Sequence, residues 1–166
     1  MADDGHSNGA YQMITPPNLL KAKVGGSDGP SGIDLDAIQQ AASAVESLAD
    51  EFEERVSLEI AMLMKLSHDL DETPDTAGKV GKRARRVGHE VGGQGATYGF
   101  DLLSDIGLSL TRYVDELDGR KRMSGEVLRA HADAMRAIIK NDIRGDGGVV
   151  GSELLESLEQ MVDRMI

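Results

Sequence analysis

From Ile33 onward apolar residues recur with the spacing of a helix. Leu35, Ile38, Ala42, Val45, Ala49, Phe52 and Val56 follow one another at alternating steps of three and four, and Ile60, Leu63, Leu66 and Leu70 continue the stripe after a shift of phase. The spacing predicts either one helix over about residues 34–71, roughly 55 Å long at 1.5 Å per residue, or two helices meeting near residues 47–52. In the unbroken case the first half, residues 34–56, projects and offers a heptad-like seam through which two copies of the chain could form a homodimer.

Four further helices follow. Thr73-Pro74-Asp75 has the order of a helix start, with a capping hydroxyl, Pro at the first helical position and an acid beside the positive end of the dipole. The helix it opens is predicted over residues 74–98, until Gly99 breaks it. Phe100, Leu103, Ile106, Leu110, Tyr113, Val114 and Leu117 then give the apolar face of a helix ending at Asp118-Gly119. Ser124 is placed to cap the next, whose inner face reads Val127, Leu128, His131, Met135, Ile138 and Ile139. A glycine-rich connection, residues 145–148, leads to Ser152 as cap and a last helix with Leu154, Leu155, Leu158, Met161, Val162 and Met165 inward. Short connections between amphipathic helices predict an all-α fold, an antiparallel helical bundle over residues 33–166 with a long N-terminal helix.

Residues 1–32 lack this periodicity. Rich in Gly, Ser, Asp and Pro, they read as a disordered tail. Within it, residues 11–24 place Tyr11, Met13, Ile14, Leu19, Leu20 and Val24 around the Pro16-Pro17 pair, a segment that could dock in extended form on a partner or on its own bundle. A solvated tail with a few stray apolar residues is the plainer reading.

Composition narrows the function classes. Aromatic residues make up only 3% of the 166, with no Trp, in keeping with helices rather than an aromatic-rich sandwich. The net charge of -11 would repel phosphate backbones and anionic lipid, so no nucleic acid and no membrane surface is expected as partner. Without cysteine there are no disulfides or thiolate metal sites. The first residues lack the basic and apolar regions of a signal peptide and no apolar run reaches membrane-spanning length, so the expectation is a soluble, cytoplasmic protein.

The candidate chemistry lies in residues 85–100. At about 100° per residue, Val80, Ala84, Val87, Val91 and Tyr98 share one sector of the predicted helix, while Lys82, Arg85, Arg86, His89, Gly92, Gly93 and Ala96 share the opposite one. The valines face a core, so His89 is predicted to face solvent. Five basic residues, Lys79, Lys82, Arg83, Arg85 and Arg86, crowd into eight positions of an otherwise acidic chain, and three of them precede His89 by seven, four and three residues. Cations there could hold a phosphoryl group and steer an acidic partner. Glycine within a helix costs up to about 1 kcal/mol relative to Ala. Gly88 and Gly95, nearer the core side, suit close helix packing; Gly92 and Gly93, on the outward stripe, suit room for a partner at His89.

His89-Glu90-Val91-Gly92-Gly93-Gln94-Gly95, with Gly99 further on, resembles the His-x-Leu-Lys-Gly-Ser-x pattern of histidine-containing phosphotransfer (HPt) domains. His89 matches the phosphorylated histidine, Val91 the apolar position two residues later and Gly93 the glycine one turn on; Gly92 stands where the family has Lys. The resemblance implies a helical bundle that relays phosphoryl groups to and from the aspartates of response-regulator receiver domains, with a hybrid histidine kinase as a further partner. It also implies that the receiver supplies Mg²⁺ and an acidic pocket, so that the chain itself needs no cofactor. Lys82, Arg85 or Arg86 would take over the phosphoryl-stabilising role of the missing lysine. A receiver-binding adaptor that accepts no phosphate is the alternative on the same bundle. The histidine and glutamate also open the H-box of histidine kinases, but no proline follows and no ATP-binding domain is expected within these 166 residues, so autophosphorylation is not expected. A metal site is disfavoured because His89 and Glu90 diverge by about 100°, and the 145–148 loop lacks the Lys-Ser/Thr ending of a P-loop. His131 reads as an inner-face residue, His68 as solvated, and His6 falls in the tail.

Overall fold

An unbroken run without Gly or Pro from Leu35 to Glu72 gives the backbone nothing to interrupt its hydrogen-bond ladder, and a computed structural model of the chain shows one helix there, α1 (Leu35–Glu72). Asp34 starts it, its Oδ1 accepting the Ala37 N–H at 3.0 Å. The structure describes residues 34–72, 78–117 and 122–166. The tail 1–32 with its 11–24 segment, the Thr73-Pro74-Asp75 start signal and the Asp118-Gly119 stop lie outside the described residues. The chain divides into two compact units, residues 1–41 and 42–166. In the first, the described residues are Asp34 and the opening turns of α1, where Leu35 and Ile38 are exposed.

All other elements belong to the second unit. After α1 come α2 (Lys79–Gln94), a 3₁₀ turn (Gly95–Tyr98), α3 (Asp101–Leu117), α4 (Gly125–Lys140) and α5 (Gly148–Met165). The described residues hold no strand, as the periodicity predicts. Of the two alternatives the spacing left open, the structure shows the single helix with no break near residues 47–52; what changes there is burial. Ala42, Val45 and Leu48 are exposed, whereas Phe52, Val56, Ile60, Leu63 and Leu70 enter the core.

Four helices alternate in direction. α1 meets α2 through Glu59 with Arg83 at 3.2 Å and through Arg55 donating to Gln94 Oε1 at 2.6 Å. α2 runs against α3 in the closest crossing of the bundle, with Gly88 opposite Thr111, Gly92 opposite Leu108 and Gly95 opposite Ser104. α3 meets α4 where the Ser124 N–H donates to Tyr113 Oη at 2.8 Å and where Ser109 faces His131. α4 returns to α1 through an Arg129–Asp71 pair. α5 lies beside α3 and parallel to it, held by Arg112, which reaches Glu159 and Asp163 as well as Glu116 on its own helix. Tyr113, Phe52, Phe100, Leu103, Ile106, Leu110 and Met135 fill the centre.

Several boundaries differ from the sequence pattern. α2 ends at Gln94, and the chain tightens into the 3₁₀ turn before Gly99 takes φ 83° and lets it reverse. Ser124 occupies the predicted cap position of α4, but its hydroxyl makes no cap bond. Ser152 does not cap α5: the helix begins a turn earlier because Gly147 and Gly148 adopt φ 69° and 61° and Asp146 Oδ1 accepts the Gly148 N–H at 2.9 Å. Ser152 instead donates to Gly148 O at 3.1 Å inside the first turn. Met165, expected inward, is exposed at the end of the last helix, while Leu158 and Val162 are buried.

Candidate functional site

On α2 the two predicted sectors separate. Ala84, Val87 and Val91 are buried, Val80 is half-buried, and Lys82, Arg85, Arg86, His89 and Gly93 are exposed. Lys82, Arg85, Arg86 and His89 together line a surface recess of about 310 Å³. No hydrogen bond or ion pair joins the His89 imidazole to a described residue, so its ring nitrogens are open to whatever enters the recess.

The cations around it are in different states. Arg85 pairs across the helix crossing with Asp115 of α3, Nε to Oδ1 at 2.6 Å. Arg86 pairs with Glu90 one turn on, Nε to Oε1 at 2.7 Å, and that hydrogen bond and charge raise the guanidinium above its already high ordinary pKa. Arg83 turns away from the recess to Glu59. Lys82 makes no ion pair with a described residue.

The glycines divide differently from the helical-wheel expectation. A Cβ at Gly88 would lie 2.6 Å from Thr111 Oγ1, one at Gly107 would lie 2.5 Å from Gly92 N, and one at Gly95 would lie 3.0 Å from Phe100 O. Gly92 belongs with these: a Cβ there would sit 3.1 Å from Leu108 Cγ, so helix packing accounts for it. The wheel placed Gly92 on the outward stripe about 60° from His89; α3 approaches from that flank, which one helix's phase cannot reveal. Gly93 fits the expectation, with nothing within 4 Å of a built Cβ. Ala96 is exposed, but it sits in the 3₁₀ turn, where its N–H donates to Ser104 Oγ at 3.2 Å and the α-helical phase no longer applies.

His131 stands in contrast. It is wholly buried, its Nδ1 2.8 Å from Val127 O and its Nε2 3.3 Å from Ser109 Oγ. The carbonyl can only accept, so Nδ1 carries the proton and Nε2 accepts from the serine. Burial pushes its pKa below the ordinary value of 6.5, against smaller opposing effects of the Val127 hydrogen bond and Glu159. His68 is exposed.

A second recess of similar size, lined by Ser57, Ile60, Ala61, Arg136, Ile139 and Lys140, offers two cations but no imidazole. Among the described residues no cluster of three or more His, Cys, Asp or Glu could hold a metal, and no helix is long and apolar enough to cross a membrane. Sequence reasoning missed Asp115. Its signal was present in Gly107: once Gly88 and Gly92 are set against Gly107, the antiparallel register brings residue 115 opposite residue 85.

The chain matches no protein-family model, and neither curated proteins nor solved structures show a significant similarity to it.

Proposed function

We propose that this chain is a histidine phosphotransfer protein of the HPt type, a phosphoryl carrier that relays groups to and from receiver-domain aspartates in a cytoplasmic two-component phosphorelay. The observation that carries the reading is the pairing of an open imidazole with a cationic recess: His89, bonded to no described residue, shares its surface with Lys82, Arg85 and Arg86. Rigid backing supports it too, since the helix that bears His89 is locked to α3 by glycine contacts.

The chemistry is a nucleophilic displacement. A lone pair on a ring nitrogen of neutral His89 attacks the phosphorus of a phosphoaspartate, the N–P bond forms as the acyl P–O bond breaks, and the aspartate leaves as carboxylate. The proton on the other ring nitrogen is then released to solvent. Transfer to a second aspartate reverses these steps. Such reactions depend on positioning and charge neutralisation more than on covalent machinery in the acceptor.

The receiver-binding adaptor is favoured by one set of observations: Gly92 replaces the family's lysine, and Arg85 and Arg86 are each engaged with a carboxylate. One experiment separates the two readings. Incubation with phosphorylated receivers should place an acid-labile label on the wild type and none on His89→Ala; label that persists in His89→Ala ends the proposal, and binding without label selects the adaptor. ATP and Mg²⁺ alone should label neither.

A further inference from the structure

The carboxylate facing Arg85 has a role of its own. We propose that Asp115 is a displaceable counter-anion: it holds the Arg85 guanidinium beside His89 in the resting protein and releases it to a dianionic phosphoryl group in the recess. The inference rests on the phosphotransfer reading for its physiological ligand, and its geometry stands without it.

The Arg85–Asp115 contact uses two donors, Nε to Oδ1 at 2.6 Å and Nη2 to Oδ2 at 3.4 Å. A phosphoryl group presents the same pair of acceptor oxygens with about twice the charge. Both side chains are open to solvent, 60% exposed for Arg85 and 46% for Asp115, so the pair is screened and weak and its exchange for a dianion is easy. The partner is nonetheless fixed in place. Asp115 is carried by α3, whose register against α2 is set by Gly88, Gly92 and Gly107, so the guanidinium returns to one position whenever the recess empties.

The other cations are less suited to this exchange. Arg86 is tied to Glu90 on its own helix, and Glu59 adds to the negative charge it feels. Lys82 makes no ion pair with a described residue but precedes His89 by two turns, roughly 10 Å along the axis. Arg85 is one turn away and carries a planar fork. Arg86 shares that reach and fork, but the counter-anion of Arg85 alone of the two is carried by α3, so Arg85 is the cation whose resting place a neighbouring helix fixes, and it supplies what a lysine at position 92 would otherwise provide.

The test compares the wild type, Asp115→Asn, Arg85→Ala and the double variant in two measurements. Inorganic phosphate is titrated while the Arg85 Nε–H and the His89 ring are followed by NMR, and transfer from a phosphorylated receiver is timed. Asp115→Asn should tighten phosphate binding and speed transfer by roughly two- to fivefold, the range a screened surface pair can impose. Arg85→Ala should weaken both, and Asp115→Asn should add nothing in its presence. Glu116→Gln, an equal change of charge one residue along α3 but paired with Arg112, serves as control and should leave both measurements where they were. The proposal is overturned if Asp115→Asn binds phosphate no better than wild type, if its gain survives loss of Arg85, or if Glu116→Gln matches it. The two readings fail separately: predicted phosphate behaviour without a label on His89 would remove the relay and keep the exchange, while label with no effect of Asp115 would do the reverse.

Discussion

His89 and His131 are the same side chain on two of the helices packed against α3, and the bundle leaves them with opposite capacities. His131 is sealed in the core with both ring nitrogens engaged, one donating a hydrogen bond to Val127 O and the other accepting from Ser109 Oγ. His89 is exposed, bonded to no described residue and placed among cations. A nucleophilic imidazole needs a free lone pair and a route for the incoming electrophile. His131 has neither, which suits a structural part; His89 has both, as the proposed phosphotransfer requires.

The sharpest way to break this comparison is to remove each ring in turn. His89→Ala should reduce phosphohistidine label to background while shifting unfolding free energy by no more than about 0.5 kcal/mol, as for other surface substitutions. His131→Ala should do the opposite. It leaves a cavity and strips partners from buried groups, costing roughly 2–4 kcal/mol in urea unfolding, while the protein that remains folded still accepts label. A large loss of stability on removing His89, or label lost with His131 from folded protein, would erase the distinction.

A change of pH sharpens the contrast without mutation. Burial lowers the pKa of His131 in the folded chain below 6.5, while the unfolded chain titrates near the ordinary value, so below that pH the unfolded state binds the extra proton first. Stability contributed by the neutral ring is complete above pH about 6.5 and declines as pH falls, by up to about 1.4 kcal/mol per pH unit for one proton. Urea midpoints measured from pH 7.5 downward should show this decline in the wild type and in His89→Ala, and a shallower one in His131→Gln. An equal slope in all three would assign the acid sensitivity to other groups.

The residues legible in the sequence are those whose placement depends on one helix's phase. Ala84, Val87 and Val91 against Lys82, Arg85 and His89 could be sorted that way, as could the inward ring of His131, because 100° per residue relates them directly. Gly92 and Asp115 could not be, since their meaning comes from the flank on which α3 lies and from its register. Helix ends were hidden for a local reason: at α5 a pair of left-handed glycines and the Asp146 side chain start the helix before the serine that looks like its cap. The first turns of α1 carry the same apolar spacing as the buried second half, yet Leu35 and Ile38 are exposed, because a stripe records an apolar face and not what covers it.

The smallest expected effect concerns the space beside the open histidine. Gly92 and Gly93 are adjacent in α2 and equally unfavourable to an isolated helix, but only Gly92 has a neighbour that a side chain would press, Leu108 at 3.1 Å. Gly93→Ala should therefore stabilise the chain by about 0.5–1 kcal/mol, the helix-propensity difference alone, whereas in Gly92→Ala the same gain is offset by contact with Leu108 and its leucine must shift. If a partner's active site closes over His89, the more stable Gly93→Ala should transfer phosphoryl groups a few-fold more slowly, and Gly93→Met more slowly again as its side chain fills the approach. Thermal unfolding and transfer rates on the same samples decide the matter. A variant that gains stability and loses no rate would mean that nothing approaches Gly93, and the glycine would then be left without a physical account, since the bundle itself does not require it.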